Sequence, residues 1–267
     1  RYSTHFQKVG TDEAYLELTE ITQDYNKAYE IANSIQKEIF NKIGITISIG
    51  IAPTKSLAKI ASDENKPNGI TIVKPEKIFD FLKEKDITRI PGIGKKTKIY
   101  YIKKGIRKIG DIINTSLPRM IKLFGKHGRW IWNVSNGLDN RKVEEFHEER
   151  KSISAERTFF SDTDEFNEIL SKFEDINKKI HKSILKHHIT YKTITLKIRF
   201  EDFITYTRSR TLPFHIHDEK YVLKIILELF KEFSNEKRKG RLVGIKLSNL
   251  ERNQKVRQTS LIRFAYA

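Results

Sequence analysis

The spacing of apolar and polar side chains changes several times along the chain, and each change marks a group of elements. Residues 6–9 and 14–18 read as two short strands on either side of the polar turn Gly10-Thr11-Asp12-Glu13, a hairpin in which Gly10 supplies backbone freedom. Asp24 then opens a stretch in which Ala28, Ile31, Ile35 and Ile39 recur on one helical face, and Gly44 closes it. Ile45-Thr46-Ile47-Ser48-Ile49 alternates as a strand does, 54–64 reads as a helix, and 70–73 as another strand. Beyond Pro75 the strands stop. Short helices follow one another there, punctuated by Pro91-Gly92, Gly94, Gly105, Gly110, Pro118, Gly125, Gly128 and Gly137.

The stretch 143–150 holds Glu144, Glu145, Glu148 and Glu149 with no apolar period, and reads as an extended linker. After it come strands over 152–159, 192–200, 205–212 and 242–247, with helices over 164–187 and 219–233. That βαββαβ order predicts a split-βαβ, ferredoxin-like sheet with both helices on one face. The fold class is therefore α+β and multidomain, with expected boundaries at 1–74, 75–142, a linker over 143–151, 152–250, and a tail over 251–267.

Composition narrows the function. With 267 residues, two or three domains are expected. Lys and Arg number 51 against 34 Asp and Glu, a formal net charge of +17, which points to a polyanionic partner, with nucleic acid first. No apolar run approaches the ~20 residues needed to span a bilayer, and no basic amphipathic helix or lipidation signal suggests a membrane surface. The absence of cysteine excludes disulfides, thiolate metal sites and a cysteine nucleophile, and fits an intracellular protein. The one methionine is Met120, and Arg1 is not a residue from which an initiator methionine is normally trimmed, so the chain reads as a fragment.

Four features carry candidate chemistry. Asp12 and Glu13 are hard oxygen ligands at a hairpin end, suited to divalent cations if the turn brings them to one side, and equally an ordinary solvated turn. Lys55 and Lys59 lie one helical turn apart, with Lys66 on the following Pro67-Gly69 turn; the cluster suits a triphosphate, or is a basic solvated face. Ile90-Pro91-Gly92-Ile93-Gly94-Lys95-Lys96 opens a helix expected to reach Lys104. It has the helix-hairpin-helix form in which Gly92 and Gly94 let backbone N–H groups approach a phosphate beside Lys95 and Lys96, or else is a plain helix cap. A weaker echo at 124–128 reads as a simple turn. On the later strands Lys192, Ile194, Leu196 and Ile198 point one way and Thr193, Thr195, Lys197 and Arg199 the other. Arg208 and Arg210 alternate likewise, so a sheet face free of helices is expected to follow a phosphate backbone. His187-His188 and His215-x-His217 invite zinc, but no thiolate or closely spaced carboxylate completes a four-ligand set.

Taken in order, these segments resemble the Y-family translesion DNA polymerases, in the polymerase IV or DinB-like branch. Thr11-Asp12-Glu13-Ala14-Tyr15-Leu16 is similar to the palm motif. Gly50-Ile51-Ala52-Pro53-Thr54-Lys55-Ser56-Leu57-Ala58-Lys59-Ile60-Ala61-Ser62-Asp63 with Lys66-Pro67-Asn68-Gly69 is similar to the phosphate-side helix and turn. Pro91-Gly92-Ile93-Gly94-Lys95 resembles the thumb's helix-hairpin-helix, and Arg150-Lys151-Ser152-Ile153-Ser154-Ala155-Glu156-Arg157-Thr158 the first little-finger strand. The resemblance implies a partial palm, a helical thumb and a little finger. It also implies two Mg²⁺ ions on Asp12 and Glu13, Glu13 near the primer 3′-OH, triphosphate contacts from Lys66 with Lys59 close by, and DNA contacts from Lys151, Ser152 and Arg157. The expected partners are primer-template DNA and deoxynucleoside triphosphates, and no membrane; the protein is expected to be a monomer, cytoplasmic and nucleoid-associated in a prokaryote or nuclear in a eukaryote.

Two departures stand out. The family's upstream strand with a third metal-binding Asp and its fingers are not among these residues, and Gly10 stands where a Ser is common. A polypeptide of these residues alone is expected to bind DNA without efficient synthesis; a non-catalytic DNA-gripping module is the alternative. In the tail, Gln258, Leu261 and Phe264 have the Gln-x-x-Leu-x-x-Phe form of sliding-clamp peptides.

Overall fold

A computed structural model describes residues 1–145 and 150–252, and the chain forms two compact units, residues 1–147 and 148–267. The first unit begins with an antiparallel hairpin, β1 (His5–Lys8) and β2 (Ala14–Glu17), in register from His5 opposite Glu17 to Lys8 opposite Ala14. The long helix α1 (Tyr25–Ile43) follows. Asp24 accepts from the Asn26 N–H at its start, and Gly44 ends it with φ 77°, as its sequence signals predict.

Next, β3 (Ile49–Ile51) and β4 (Ile70–Ile72) pair in parallel around α2 (Lys55–Ser62), which Thr54 caps. The expected strand over 45–49 is displaced: only Ile49 of that run joins a ladder, because β4 offers three residues and they pair with 49–51. Alternation marks an extended backbone, but a strand also needs a hydrogen-bonded neighbour.

The helices that follow are α3 (Ile78–Leu82), α4 (Lys95–Ile102), α5 (Ile109–Ile113) and α6 (Leu117–Ser135). α4 ends two residues short of the expected Lys104. The turn expected over 124–128 is instead a kink inside α6 at Gly125, φ 61° and ψ −140°. Leu57 and Ile60 of α2 share one core with Leu82, Ile87, Ile90, Ile109, Met120 and Ile131, so α2 is fixed by the helices as well as by its sheet. Each such fully buried side chain contributes about 1.5–3 kcal/mol.

The second unit contains β5 (Ser152–Thr163), α7 (Phe166–His187), β6 (Ile189–Phe200), β7 (Thr205–Ile216), α8 (Glu219–Phe230) and β8 (Gly240–Arg252). The element order is the predicted βαββαβ, and the sheet runs β5-β8-β6-β7 with every pair antiparallel. Both βαβ crossovers are thus split by an intervening strand. The strands outrun their sequence signals because irregularities in register, between Thr158 and Thr163 and between Tyr191 and Thr193, break the period of two. At the second, Tyr191 and Ile194 are both buried while Lys192 is not, so Lys192 leaves the face to which plain alternation assigns it. Pro213 sits in β7, an edge strand, where a missing N–H is tolerated.

Candidate functional site

The pairing of β1 and β2 stops at Lys8 and Ala14, and the N–H groups of Val9 and Gly10 both donate to the Glu13 carbonyl, at 2.9 and 3.3 Å. This closes a tight turn that presents Asp12 and Glu13 as exposed side chains. Gly10 does not supply the freedom expected of it. Its φ is not positive, and a Cβ there would meet nothing nearer than Asp12 Oδ1 at 4.0 Å, so the turn does not depend on glycine.

The hairpin is docked on α2. Lys59 Nζ lies 2.6 Å from Glu13 Oε1 and 3.3 Å from Asp63 Oδ2, and Asp63 in turn accepts from Lys66 Nζ at 2.5 Å. Burial opposes the charge on Lys59, but Glu13 and Asp63 outweigh it and hold the ammonium above its ordinary value. Burial likewise works against the Asp63 carboxylate, and Lys66 and Lys59 overcome it, leaving its pKa lowered. Three of the four residues expected in the active site, Glu13, Lys59 and Lys66, therefore belong to one chain of ion pairs, with Asp12 adjoining it. Lys55 Nζ reaches Gln7 Oε1 of β1 at 2.5 Å and lies 5.2 Å from the ring centre of Tyr15 on β2.

Among the described residues, no group of three or more His, Cys, Asp or Glu side chains could hold a metal ion. Asp12 and Glu13 fit a hard divalent cation by donor type, since both are exposed carboxylates, and Glu13 already accepts a cationic partner.

In the loop before α4, Ile90 and Ile93 are buried while Gly92, Gly94, Lys95 and Lys96 are exposed. Gly92 has φ 93°, Gly94 caps α4 without a side chain, and a Cβ on either would meet nothing within 4 Å. The loop is pinned by its apolar residues and bares its backbone to solvent.

In the second unit, hydroxyl pairs Thr193–Thr211 at 2.9 Å and Thr195–Ser209 at 2.8 Å define the face opposite the buried Ile194, Leu196 and Ile198. Lys197, which pairs with Glu156 at 2.5 Å, and Arg199 lie on that face; so does the exposed Lys246 by its register opposite Ser154 and Thr195. The expectation for Arg208 and Arg210 is corrected. They share the helix side with Leu212, and their guanidinium groups pair with Glu232, at 2.5 Å, and with Glu228 of α8. β7 is an edge strand, and on its helix side Glu228 of α8 and Glu232 of the turn that follows α8 lie within reach of these side chains. Ser152 takes the open-face phase, whereas Arg157 takes the opposite phase, exposed on the edge strand β5. Lys151 precedes β5 and is exposed; Gln258, Leu261 and Phe264 lie outside the described residues.

Sequence reasoning passed over Lys246, although its place between Ile245 and Leu247 is a period-two signal. It also passed over Asp139 and Arg141, whose partner Ser56 lies more than 80 positions away and leaves no local signature.

The impB/mucB/samB family model matches residues 1–63, and the model of that family's C-terminal domain matches residues 150–261. DNA polymerase IV 2 of Methanosarcina mazei is 38% identical over 263 residues, covering 98% of this chain and 70% of the relative. DNA polymerase IV of Clostridium perfringens strain 13 is 32% identical over 252 residues, covering 94% and 70%. Among solved structures, a Y-family DNA polymerase chimera of Dbh and Dpo4 superposes with a TM-score of 0.81 at 28% identity, covering 94% of this chain and 73% of that one. An insertion ternary complex of Dbh DNA polymerase gives 0.55 at 26% identity with the same coverage.

Proposed function

This chain belongs to the impB/mucB/samB family, in the DinB-like branch of the Y-family DNA polymerases, and from that membership we propose where in it nucleotide transfer is carried. The activity is template-directed DNA synthesis, including synthesis across damaged DNA. One observation supports the placement: the hairpin bearing Asp12 and Glu13 is joined through Glu13 and Lys59, then Asp63, to Lys66. Acids suited to hard cations and ammonium groups suited to a triphosphate therefore occupy adjoining side chains.

In this reading Asp12 and Glu13 would hold Mg²⁺, two ions by the family's pattern, and the bound metal would supply charge neutralisation for transfer of the nucleotide. Lys66, with Lys59 beside it, binds and orients the triphosphate. Residues 1–74 serve as palm, 75–142 as a thumb with a helix-hairpin-helix, and 152–250 as little finger. Gly92, Gly94, Lys95 and Lys96 take a DNA phosphate at the start of α4. Lys151, Ser152 and Arg157, together with Lys197, Arg199 and Lys246 of the open face, follow the backbone further. Arg208 and Arg210 are reassigned to holding α8 on the sheet.

Mn²⁺ titration followed by electron paramagnetic resonance tests the metal assignment. Asp12→Ala should weaken binding by more than about a hundredfold, beyond what loss of a supporting group costs; unchanged affinity would remove Asp12 from the site. The segment containing Gln258, Leu261 and Phe264 is proposed to bind a sliding clamp. Capture by the clamp should be lost with Leu261→Ala and Phe264→Ala together, and retained capture would refute it.

A further inference from the structure

Beyond α6 the chain returns to the first turn of α2. The Asp139 carboxylate, 4% exposed, accepts from the Ser56 N–H at 3.1 Å and from Ser56 Oγ at 2.6 Å. Arg141 brackets the same carboxylate through Nε at 2.8 Å and Nη2 at 2.7 Å, and Nη2 also donates to Ser56 Oγ at 2.9 Å. Ser56 itself is 1% exposed. A carboxylate on an N–H and a hydroxyl of a helix's first turn, gripped by a two-pronged guanidinium, is a strong anchor. Burial disfavours its charge, yet Arg141 and Ser56 hold the Asp139 carboxyl well below the ordinary aspartate value.

The residues next to this anchor reach the hairpin. Lys55 donates to the Lys142 carbonyl at 3.0 Å as well as to Gln7, and it covers Tyr15. Gln7 and Tyr15 are direct partners across β1 and β2. One turn along α2, Lys59 holds Glu13. α2 thus grips the hairpin at two points, and a segment more than 80 residues away fixes α2.

We propose that Asp139 and Arg141 are positioning residues for nucleotide transfer: they fix the first turn of α2, whose Lys55 and Lys59 in turn fix the hairpin that presents Asp12 and Glu13. The consequence for catalysis rests on the function proposed above, while the mechanical link does not. If Asp139 merely stabilised α2, its loss would loosen that helix and leave the hairpin unchanged. If it positions the hairpin, the effect must pass through the two lysines.

Hydrogen exchange on the full chain separates these. With Asp139→Asn, amides of the hairpin between Gln7 and Tyr15 should exchange about tenfold faster, while the β6 and β8 ladder is unchanged. In a background carrying Lys55→Met and Lys59→Met, the same substitution should add nothing further at the hairpin, the mark of two changes on one path. An unchanged hairpin, or an equal increment in both backgrounds, would overturn the proposal. Should Asp139→Asn fail to fold, Ser56→Ala removes one hydroxyl from the anchor and carries the same comparison. Exchange coupling combined with undiminished synthesis by Asp12→Ala would sink the catalytic reading alone. Absent coupling with synthesis lost would sink only the positioning role.

Discussion

At Gly50 a single methyl group decides whether α2 can lie on its sheet. A Cβ there would stand 2.0 Å from the Ala58 carbonyl oxygen and 2.5 Å from the Ser62 nitrogen, both backbone atoms with nowhere to move. Gly50→Ala is accordingly expected to destabilise the protein by about 3 kcal/mol, seen as a lower urea midpoint; an unshifted midpoint would contradict the packing. Gly10 is the opposite case. Its negative φ and open surroundings predict that Gly10→Ala is neutral or stabilising by up to ~1 kcal/mol, through a less flexible unfolded chain. The sequence alone makes Gly10 look like a backbone requirement and leaves Gly50 unremarked, since composition does not register what a side chain would strike. Asp12, Glu13, Lys59 and Lys66 were readable because each sits in a short motif. Asp139 and Arg141 were not, since their meaning lies in a contact with distant Ser56.

The faces of the second unit's strands belong to the element scale. Alternation assigned the two faces of β6 from Thr193 to Arg199 but misplaced Lys192, and it could not say which face carries α8; Arg208 and Arg210 went to that side. Substituting Lys246 with Ala should therefore weaken DNA binding and lower the salt slope by about 0.9, one phosphate contact. Arg210→Ala should leave the slope unchanged and act on stability; equal slopes for parent and Lys246→Ala would remove Lys246 from the interface. At α2 the same scale gives a pH dependence. Asp139 and Asp63 have pKa values below the ordinary 3.8 when folded, so the stability they contribute is present above that value and is lost as pH falls below it toward the lowered values. Unfolding followed between about pH 5 and pH 2 should show a loss that Asp139→Asn reduces. An identical acid profile in that variant would show the anchor contributes nothing.

For the whole molecule, a net charge of +17 and family membership agree on a polyanionic partner, yet charge does not distinguish a polymerase from a protein that only grips DNA. Steep salt dependence is expected of both. What separates them is the hairpin, where two acids of no help in holding a phosphate backbone stand beside lysines that are. The most direct measurement is single-nucleotide primer extension by the full-length polymerase carrying Asp12→Ala, with primer-template affinity determined at the same salt concentration. Extension should fall by at least about a thousandfold, roughly 4 kcal/mol of transition-state stabilisation, while DNA affinity stays within about twofold. Extension at the parent rate would contradict the assignment of this hairpin as the site of nucleotide transfer.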